Sequence, residues 1–159
     1  GSEMCIRDSF TAESMIGPIV PIPGIKLGLA NIVTLLVLVL YGPKEALFVL
    51  IVRILLGSMF GGQMISFFYS LSGGVLCWLV MSLISALLKK KFLVLISMCG
   101  AAAHNIGQIL AAIVITHSIS VVAYLPVLML SAMITGCFTG LAAHVCSKRL
   151  QKILKIYFE

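Results

Sequence analysis

Long apolar runs separated by short polar breaks dominate this sequence. Five runs cover residues 25–41, 46–60, 65–88, 92–116 and 121–146. The breaks between them contain glycine, proline, lysine or histidine, and the glycines and prolines in particular stop helices. The last three runs exceed the roughly 20 residues that an α-helix needs to cross a bilayer, and the first two are shorter. The pattern therefore predicts an all-α, polytopic membrane helical bundle with about five transmembrane helices.

Composition supports a lipid environment. The chain is 61% hydrophobic and 10% charged, whereas a soluble domain is about 45–50% apolar and about 25% charged. Between residues 27 and 88 the only Asp, Glu, Lys, Arg or His side chains are Lys44, Glu45 and Arg53. A soluble core does not continue that far without a water-facing side. The composition therefore excludes a soluble globular enzyme.

The basic residues predict the orientation of the helices. Seven of the eleven lysines and arginines lie in two clusters, 89–91 and 148–155, beside apolar runs. Two crossings separate the clusters, so both lie on one side, which the positive-inside rule assigns to the cytoplasm. We expect a multi-pass plasma-membrane protein with a cytoplasmic C-terminus and with residues 57–63 and 117–118 outside. The partner of these charges is then the lipid bilayer and not nucleic acid.

Five polar side chains inside the runs are candidate ligand-binding residues: Asn31, Arg53, His104, Asn105 and Gln108. A charge at mid-bilayer costs about 2.5–3.5 kcal/mol on insertion scales, so Arg53 is expected to face a protein interior or a water-filled cavity. His104 and Gln108 are four residues apart and share a helix face. For all of these residues, packing through interhelical hydrogen bonds remains the alternative.

Small residues in the runs are interpreted as packing positions. Gly136 and Gly140 form a small-xxx-small face, and Gly73 and Gly74 are interpreted in the same way. The five cysteines show no CxxC spacing, and Cys77 is one of four inside apolar stretches. We interpret these cysteines as small hydrophobic residues and not as metal or redox groups.

The ionisable residues do not support catalysis. Asp8 is the single aspartate, and the glutamates are Glu3, Glu13, Glu45 and Glu159. The runs therefore contain no close carboxylate pair for acid–base chemistry or magnesium binding. A glycine-rich phosphate loop ending in Lys-Ser or Lys-Thr is absent from the sequence as well. We predict no catalytic residue, no metal and no cofactor, and a free-standing enzyme is the least favoured class.

Four segments together resemble one known family: PGIKLGLANIVTLL at 23–36, VRILLGSMFGG at 52–62, SLSGGVL at 70–76 and GAAAHNIGQ at 100–108. It is the heptaprenyl diphosphate synthase component I family, also called the Gx transporter family, which is similar to the substrate-binding S components of energy-coupling-factor (ECF) transporters. The resemblance covers roughly residues 13–150. It implies a six-helix membrane protein whose termini are both cytoplasmic.

The N-terminus departs from the family pattern. Where the first of six helices should lie, the chain has GSEMCIRDSFTA at residues 1–12. We therefore expect a non-family segment at 1–12, a single transmembrane domain at 13–150 that is truncated in its first helix, and a basic tail at 151–159. In S components that helix helps to dock the membrane-coupling subunit.

The two family names imply two functions. The favoured hypothesis is an S-component-like subunit that binds a small molecule for uptake, energised by partner coupling and ATPase subunits, with the five candidate residues lining an outward-opening pocket. The alternative is a non-catalytic membrane accessory subunit of heptaprenyl diphosphate synthase in isoprenoid or quinone biosynthesis. A chain with one aspartate cannot supply the aspartate-rich motifs of a prenyltransferase. The identity of the ligand is left open.

Overall fold

The computed structural model describes residues 23–61, 64–88 and 92–158, which are almost entirely helical and contain no strand. The predicted all-α architecture is confirmed, and the five apolar runs correspond to five α-helices. These are α1 (Pro23–Leu40), α2 (Pro43–Gly61), α3 (Met64–Leu87), α4 (Leu93–Thr116) and α5 (Leu125–Phe158), with a short 3₁₀ helix (Ile119–Tyr124) before α5.

Two predicted breaks take the form of tight turns. Gly42 has φ +123°, a left-handed conformation that suits glycine, and its N–H donates to the Val37 carbonyl at 3.2 Å. Pro43 then opens α2, where the missing N–H of proline is not needed. At the other break, His117 adopts φ 51° and ends α4. Local chemistry thus determines where these helices stop.

Two helices run further than the sequence suggests. The expected loop from residue 57 is helical through Gly61, and the predicted basic tail from residue 151 forms the last turns of α5. Neither extension contains a proline, and Gly57 has open space around its Cα, so nothing local ends the helix there. The predictions for residues 1–12, for the truncated first helix and for lysines 89–91 concern positions outside the described residues.

Within the described residues, three helices are long and apolar enough to cross a membrane: Met64–Leu87, Leu93–Thr116 and the continuous Ile119–Ile156. α1 contributes a shorter apolar stretch, Asn31–Leu40. Large apolar side chains on the outside of the bundle are more than half exposed, among them Phe48, Leu83, Val114, Val127 and Phe138. An outer surface of this kind suits lipid and not water. The chain is therefore a helical membrane bundle, and crossing by α1 and α2 remains a prediction.

The five helices pack as a ring in which each contacts its sequence neighbour and α5 closes back on α1. Glycines mark the closest contacts. A Cβ built on Gly107 would stand 2.7 Å from the Ser72 carbonyl oxygen, and one on Gly136 would stand 2.7 Å from Met98 Cα. A Cβ on Gly140 would likewise lie 2.6 Å from Val94 Cα. The prediction that Gly136 and Gly140 serve packing is confirmed.

The apolar core occupies one half of the ring. Its fully buried side chains include Leu35, Leu38, Val49, Cys77, Met81 and Ile96. They surround the end of α1 and the starts of α2 and α4, which is the half predicted to lie nearer the cytoplasm. The polar candidate residues therefore gather beyond this core, from the level of Cys77 towards the start of α3.

Candidate functional site

The contact between α3 and α4 sets the geometry of the polar residues. The helices are antiparallel, since Gly107 lies against Ser72 and Gly100 lies against Met81 further along α3. A Cβ built on Gly73 would stand 3.0 Å from both His104 Cε1 and Gln108 Cγ. The Ser72 hydroxyl donates to the Gly107 carbonyl at 2.7 Å and holds the helices together at this point. His104 and Gln108 thus lie on the face of α4 that packs against α3, as their spacing predicts.

His104 is buried with an unsatisfied ring. Its side chain is 7% exposed, and neither ring nitrogen has a hydrogen-bond partner among the described residues. The Gly73 backbone approaches the imidazole without reaching hydrogen-bond geometry. A buried polar group without a partner costs about 1–3 kcal/mol. Such a group is therefore a candidate for contact with a ligand.

Arg53 reaches the same region from α2. The neighbouring Ile54 and Leu50 both pack on Gly74, where a Cβ would meet their methyl carbons at 3.1 Å. Arg53 is half-buried, and its charge acts electrostatically on both His104 and Cys77. The one charged side chain in the middle of α2 therefore belongs to the same electrostatic environment as the buried imidazole of α4.

Asn31, in α1, is linked to this region by Cys77 of α3, which the sequence marks as an apolar packing residue. The Cys77 thiol donates a long hydrogen bond, 3.8 Å, to Asn31 Oδ1. Cys77 also packs on α4, because a Cβ on Gly100 would stand 3.3 Å from its sulfur. The prediction for Cys77 as a packing residue is correct but incomplete. Its central place could not be found from spacing, because cysteine is usually an apolar filler in such runs.

Asn105 points elsewhere. Its side-chain Nδ2 donates to the Leu128 carbonyl at 2.6 Å, so it joins α4 to α5. One residue along a helix is a rotation of about 100°, which separates Asn105 from the face that carries His104. This hydrogen bond is of the kind that the packing alternative predicts. The structure therefore groups Asn31, Arg53, His104 and Gln108 around residues 73–77 of α3 and leaves Asn105 outside the group.

This polar cluster, comprising Asn31, Arg53, His104 and Gln108, combines one permanent cation, one imidazole and two amides. The only carboxylate in the described residues is Glu45, in the first turn of α2 and eight residues before Arg53. A cluster with this composition favours a group rich in hydrogen-bond acceptors or carrying negative charge. It offers no pair of groups for acid–base catalysis.

Fold and cluster together define the class: a helical membrane protein with a polar, net positive cluster inside its bundle. The chain matches the family model described as heptaprenyl diphosphate synthase component I over residues 8–146. It belongs to that family. No curated protein and no solved structure matches the chain. The resemblance found in the sequence is thereby confirmed at the level of the family. The likeness to S components, the domain boundaries at 13 and 150 and the ligand-binding roles remain predictions.

Proposed function

We propose that the chain is the non-catalytic membrane component of a multi-subunit heptaprenyl diphosphate synthase. It would lie in the plasma membrane with its C-terminus in the cytoplasm. Membership of the component I family carries this proposal. The carboxylate content supports it, because a single aspartate, Asp8, cannot form the metal-binding motifs that hold a diphosphate. Prenyl transfer would then belong to a separate, water-soluble subunit.

The physical need for a membrane component follows from the product. A long isoprenoid diphosphate has a tail that partitions into lipid at about 0.8 kcal/mol per buried CH₂ group, and a charged head that does not. A helical bundle beside the catalytic subunit would give the tail a route into the bilayer. The polar cluster would supply donors for the head group.

Co-purification tests this proposal. The chain, reconstituted in nanodiscs, is mixed with the aspartate-rich prenyltransferase subunit of the same organism. We expect a stoichiometric complex, and a longer or faster-made prenyl product than the soluble subunit forms with empty nanodiscs. A soluble subunit that neither binds nor changes its product would contradict the proposal.

A second candidate function, uptake of a small molecule, is favoured by the polar cluster itself. Buried donors near the middle of membrane helices are typical of substrate sites in transporters. In this function the chain would bind its ligand and depend on separate coupling and ATPase subunits for energy. Co-purification of ATPase subunits in place of a prenyltransferase would favour it.

Ligand-induced stabilisation tests the binding site in either function. Detergent-purified protein is heated with vitamins, isoprenoid precursors or amino acids, and the shift in Tm is recorded. Arg53→Ala and His104→Ala should each remove most of the shift caused by a true ligand. The matched controls are Arg149→Ala and His117→Ala, because Arg149 and His117 are exposed residues outside the polar cluster. A shift that survives both site variants would place the ligand elsewhere.

A further inference from the structure

The inner face of α2 is packed over its first half and open over its second. Ala46, Leu50 and Ile54 recur at four-residue spacing on this face and are 0%, 5% and 9% exposed. Gly57 lies on the same face, because seven residues from Leu50 bring a helix back to within about 20° of the same direction. A Cβ built on Gly57 would nevertheless have nothing within 4 Å, and this glycine is exposed. The face of α2 that is buried as far as Ile54 therefore borders open space one turn later.

The facing part of α3 carries small hydroxyl side chains. Ile54 of α2 packs on Gly74 of α3, where a Cβ would stand 3.1 Å from the Ile54 methyl carbon. One and two turns before Gly74, Ser70 and Ser66 lie on the same side of α3, where Ser70 is half-buried and Ser66 is exposed. The gap between the helices beyond this contact is therefore bordered by Gly57 on α2 and by two serines on α3. Hydroxyl groups and bare backbone suit water or a polar solute rather than lipid tails.

This gap ends at the polar cluster. Arg53 lies one turn before Gly57 on the same side of α2, and its charge acts on His104. The His104 imidazole lies beside Gly73, one turn beyond Ser70 on the same side of α3. The His104 side chain is only 7% exposed, and neither ring nitrogen has a hydrogen-bond partner among the described residues. A bound polar group would supply the partner that the imidazole lacks.

The charges around the gap define the class of ligand. Within the described parts of α2, α3 and α4, the only Lys, Arg, Asp or Glu side chains are Lys44, Glu45 and Arg53. Lys44 and Glu45 lie in the first turn of α2, at its other end. A guanidinium among apolar helices is matched best by an oxyanion, which it binds through two parallel N–H donors. Carboxylates and phosphates share this chemistry.

We propose that the gap between the second half of α2 and the first half of α3 is a water-filled entrance through which a small oxyanion reaches Arg53 and His104. The inference rests on the ligand-binding role proposed for the polar cluster, and it requires neither of the proposed partner subunits. The entrance lies at the end of the bundle that the basic clusters predict to be outside the cytoplasm. The apolar core fills the opposite half of the ring and closes the route from that side.

Reaction of introduced cysteines with a water-soluble thiol reagent tests the entrance. Gly57→Cys, which has room for its side chain, is made in the full chain in nanodiscs. The probe is an anionic methanethiosulfonate that carries a sulfonate, and peptide mass spectrometry separates the new site from the five native cysteines. Phe68→Cys is the matched control, because Phe68 is also four residues from the α2–α3 connection but is 56% exposed on the opposite side of α3 from Gly73. Gly57→Cys should react about tenfold faster, because a thiol that faces lipid ionises poorly.

The charge of the reagent tests the ligand class. Each rate is divided by the rate of the same reagent with a free thiol in solution. On this scale the sulfonate should react with Gly57→Cys about tenfold faster than a trimethylammonium reagent, because the field of Arg53 attracts anions. Adding Arg53→Gln should remove this preference, whereas Arg53→Lys keeps the charge and should retain most of it. Equal rates for the two reagents with Arg53 present would overturn the oxyanion class.

The outcomes separate the entrance from the binding role on which it rests. If Gly57→Cys reacts as slowly as Phe68→Cys, the entrance is wrong, even where Arg53→Ala and His104→Ala remove a ligand-induced shift in Tm. If Gly57→Cys reacts quickly but both cluster variants leave that shift intact, the binding role is wrong and the inference falls with it. Inorganic diphosphate and acetate, added separately at equal ionic strength, show whether a phosphate or a carboxylate fits, because the anion that binds slows the sulfonate. No slowing by either anion would also overturn the ligand class.

Discussion

The His104 ring lies directly against Gly73. A Cβ built on Gly73 would stand 3.0 Å from His104 Cε1 and 2.9 Å from the His104 carbonyl oxygen. The glycine therefore allows α4 to approach α3 closely enough to bury the imidazole. The position of the polar cluster therefore depends on the close packing of these two helices.

Gly107→Ala should destabilise the bundle by about 1–3 kcal/mol, the usual cost of overpacking. Its Cβ would meet the Ser72 carbonyl oxygen at 2.7 Å and Gly73 Cα at 2.8 Å, and backbone atoms cannot move aside as a flexible side chain can. Unfolding in sodium dodecyl sulfate, followed by Trp78 fluorescence, measures the change. Gly57→Ala is the control, because its Cβ would have nothing within 4 Å. It should be neutral or stabilising by up to about 1 kcal/mol.

His104→Leu and Asn105→Leu should act in opposite directions although the residues are adjacent. Leucine at 104 removes two buried ring nitrogens without partners and should stabilise the protein by about 1–2 kcal/mol. Leucine at 105 removes the 2.6 Å bond to the Leu128 carbonyl and should destabilise it by about 0.6–1.7 kcal/mol. The same unfolding assay compares them. Destabilisation by His104→Leu would show that the imidazole makes a favourable contact in the free protein.

Ser97 and Thr139 should be energetically coupled. Their hydroxyl oxygens lie 2.6 Å apart in the buried interface between α4 and α5. Interhelical hydrogen bonds in membranes contribute about 0.6 kcal/mol on average and up to about 1.7 kcal/mol. A double-mutant cycle with Ser97→Ala and Thr139→Val should give a coupling energy in this range. Ser58→Ala is the control partner for Thr139→Val, because Ser58 bonds within α2 and the pair should show no coupling.

The orientation of the chain can be read from fusion proteins. Green fluorescent protein joined after residue 159 should fluoresce, because it folds in the cytoplasm, and alkaline phosphatase joined at residues 117–118 should be active, because it needs the outside. The physical reason is the basic cluster at 148–155, which favours retention of the C-terminus in the cytoplasm. Moving the phosphatase to residue 159 is the control and should abolish its activity. The reverse pattern would overturn the predicted topology.

Much of the secondary structure could be predicted because it depends on local chemistry. The break at residues 42–43 follows from the residues themselves. Gly42 tolerates a positive φ, and Pro43 lacks the N–H that a helix interior needs but its first position does not. The end of α2 could not be placed in the same way. Glycine weakens a helix without forbidding it, so α2 could either end at Gly57 or continue past it. That α5 continues as a helix through residues 151–158 could not be inferred from the basic charges of this segment, because charge clusters mark membrane edges and not helix ends.

The candidate site was predictable only in part. Burial of Arg53 and His104 in apolar helices follows from the cost of exposing them to lipid. Which residues meet does not follow, since membrane helices are apolar on every side and their sequences do not mark the inner face. Asn105 illustrates this limit. Its position next to His104 in the sequence suggests a shared site, but its side chain donates a hydrogen bond to α5. Cys77 illustrates the same limit in the other direction, because the sequence marks it as an apolar packing residue. Its hydrogen bond to Asn31 depends on how α1 and α3 pack.

By itself the sequence determined that this protein belongs in a membrane, where most of its helices begin and end, and which family it belongs to. These properties depend on hydrophobic runs, helix-stopping residues and motifs that lie close together along the chain. The tertiary structure alone decided that Gly73 packs against His104, that the charge of Arg53 acts on His104, and that α5 continues as a helix through Phe158. The reason is steric, because close approach at small residues fixes which helix faces meet, and such contacts join residues far apart in sequence.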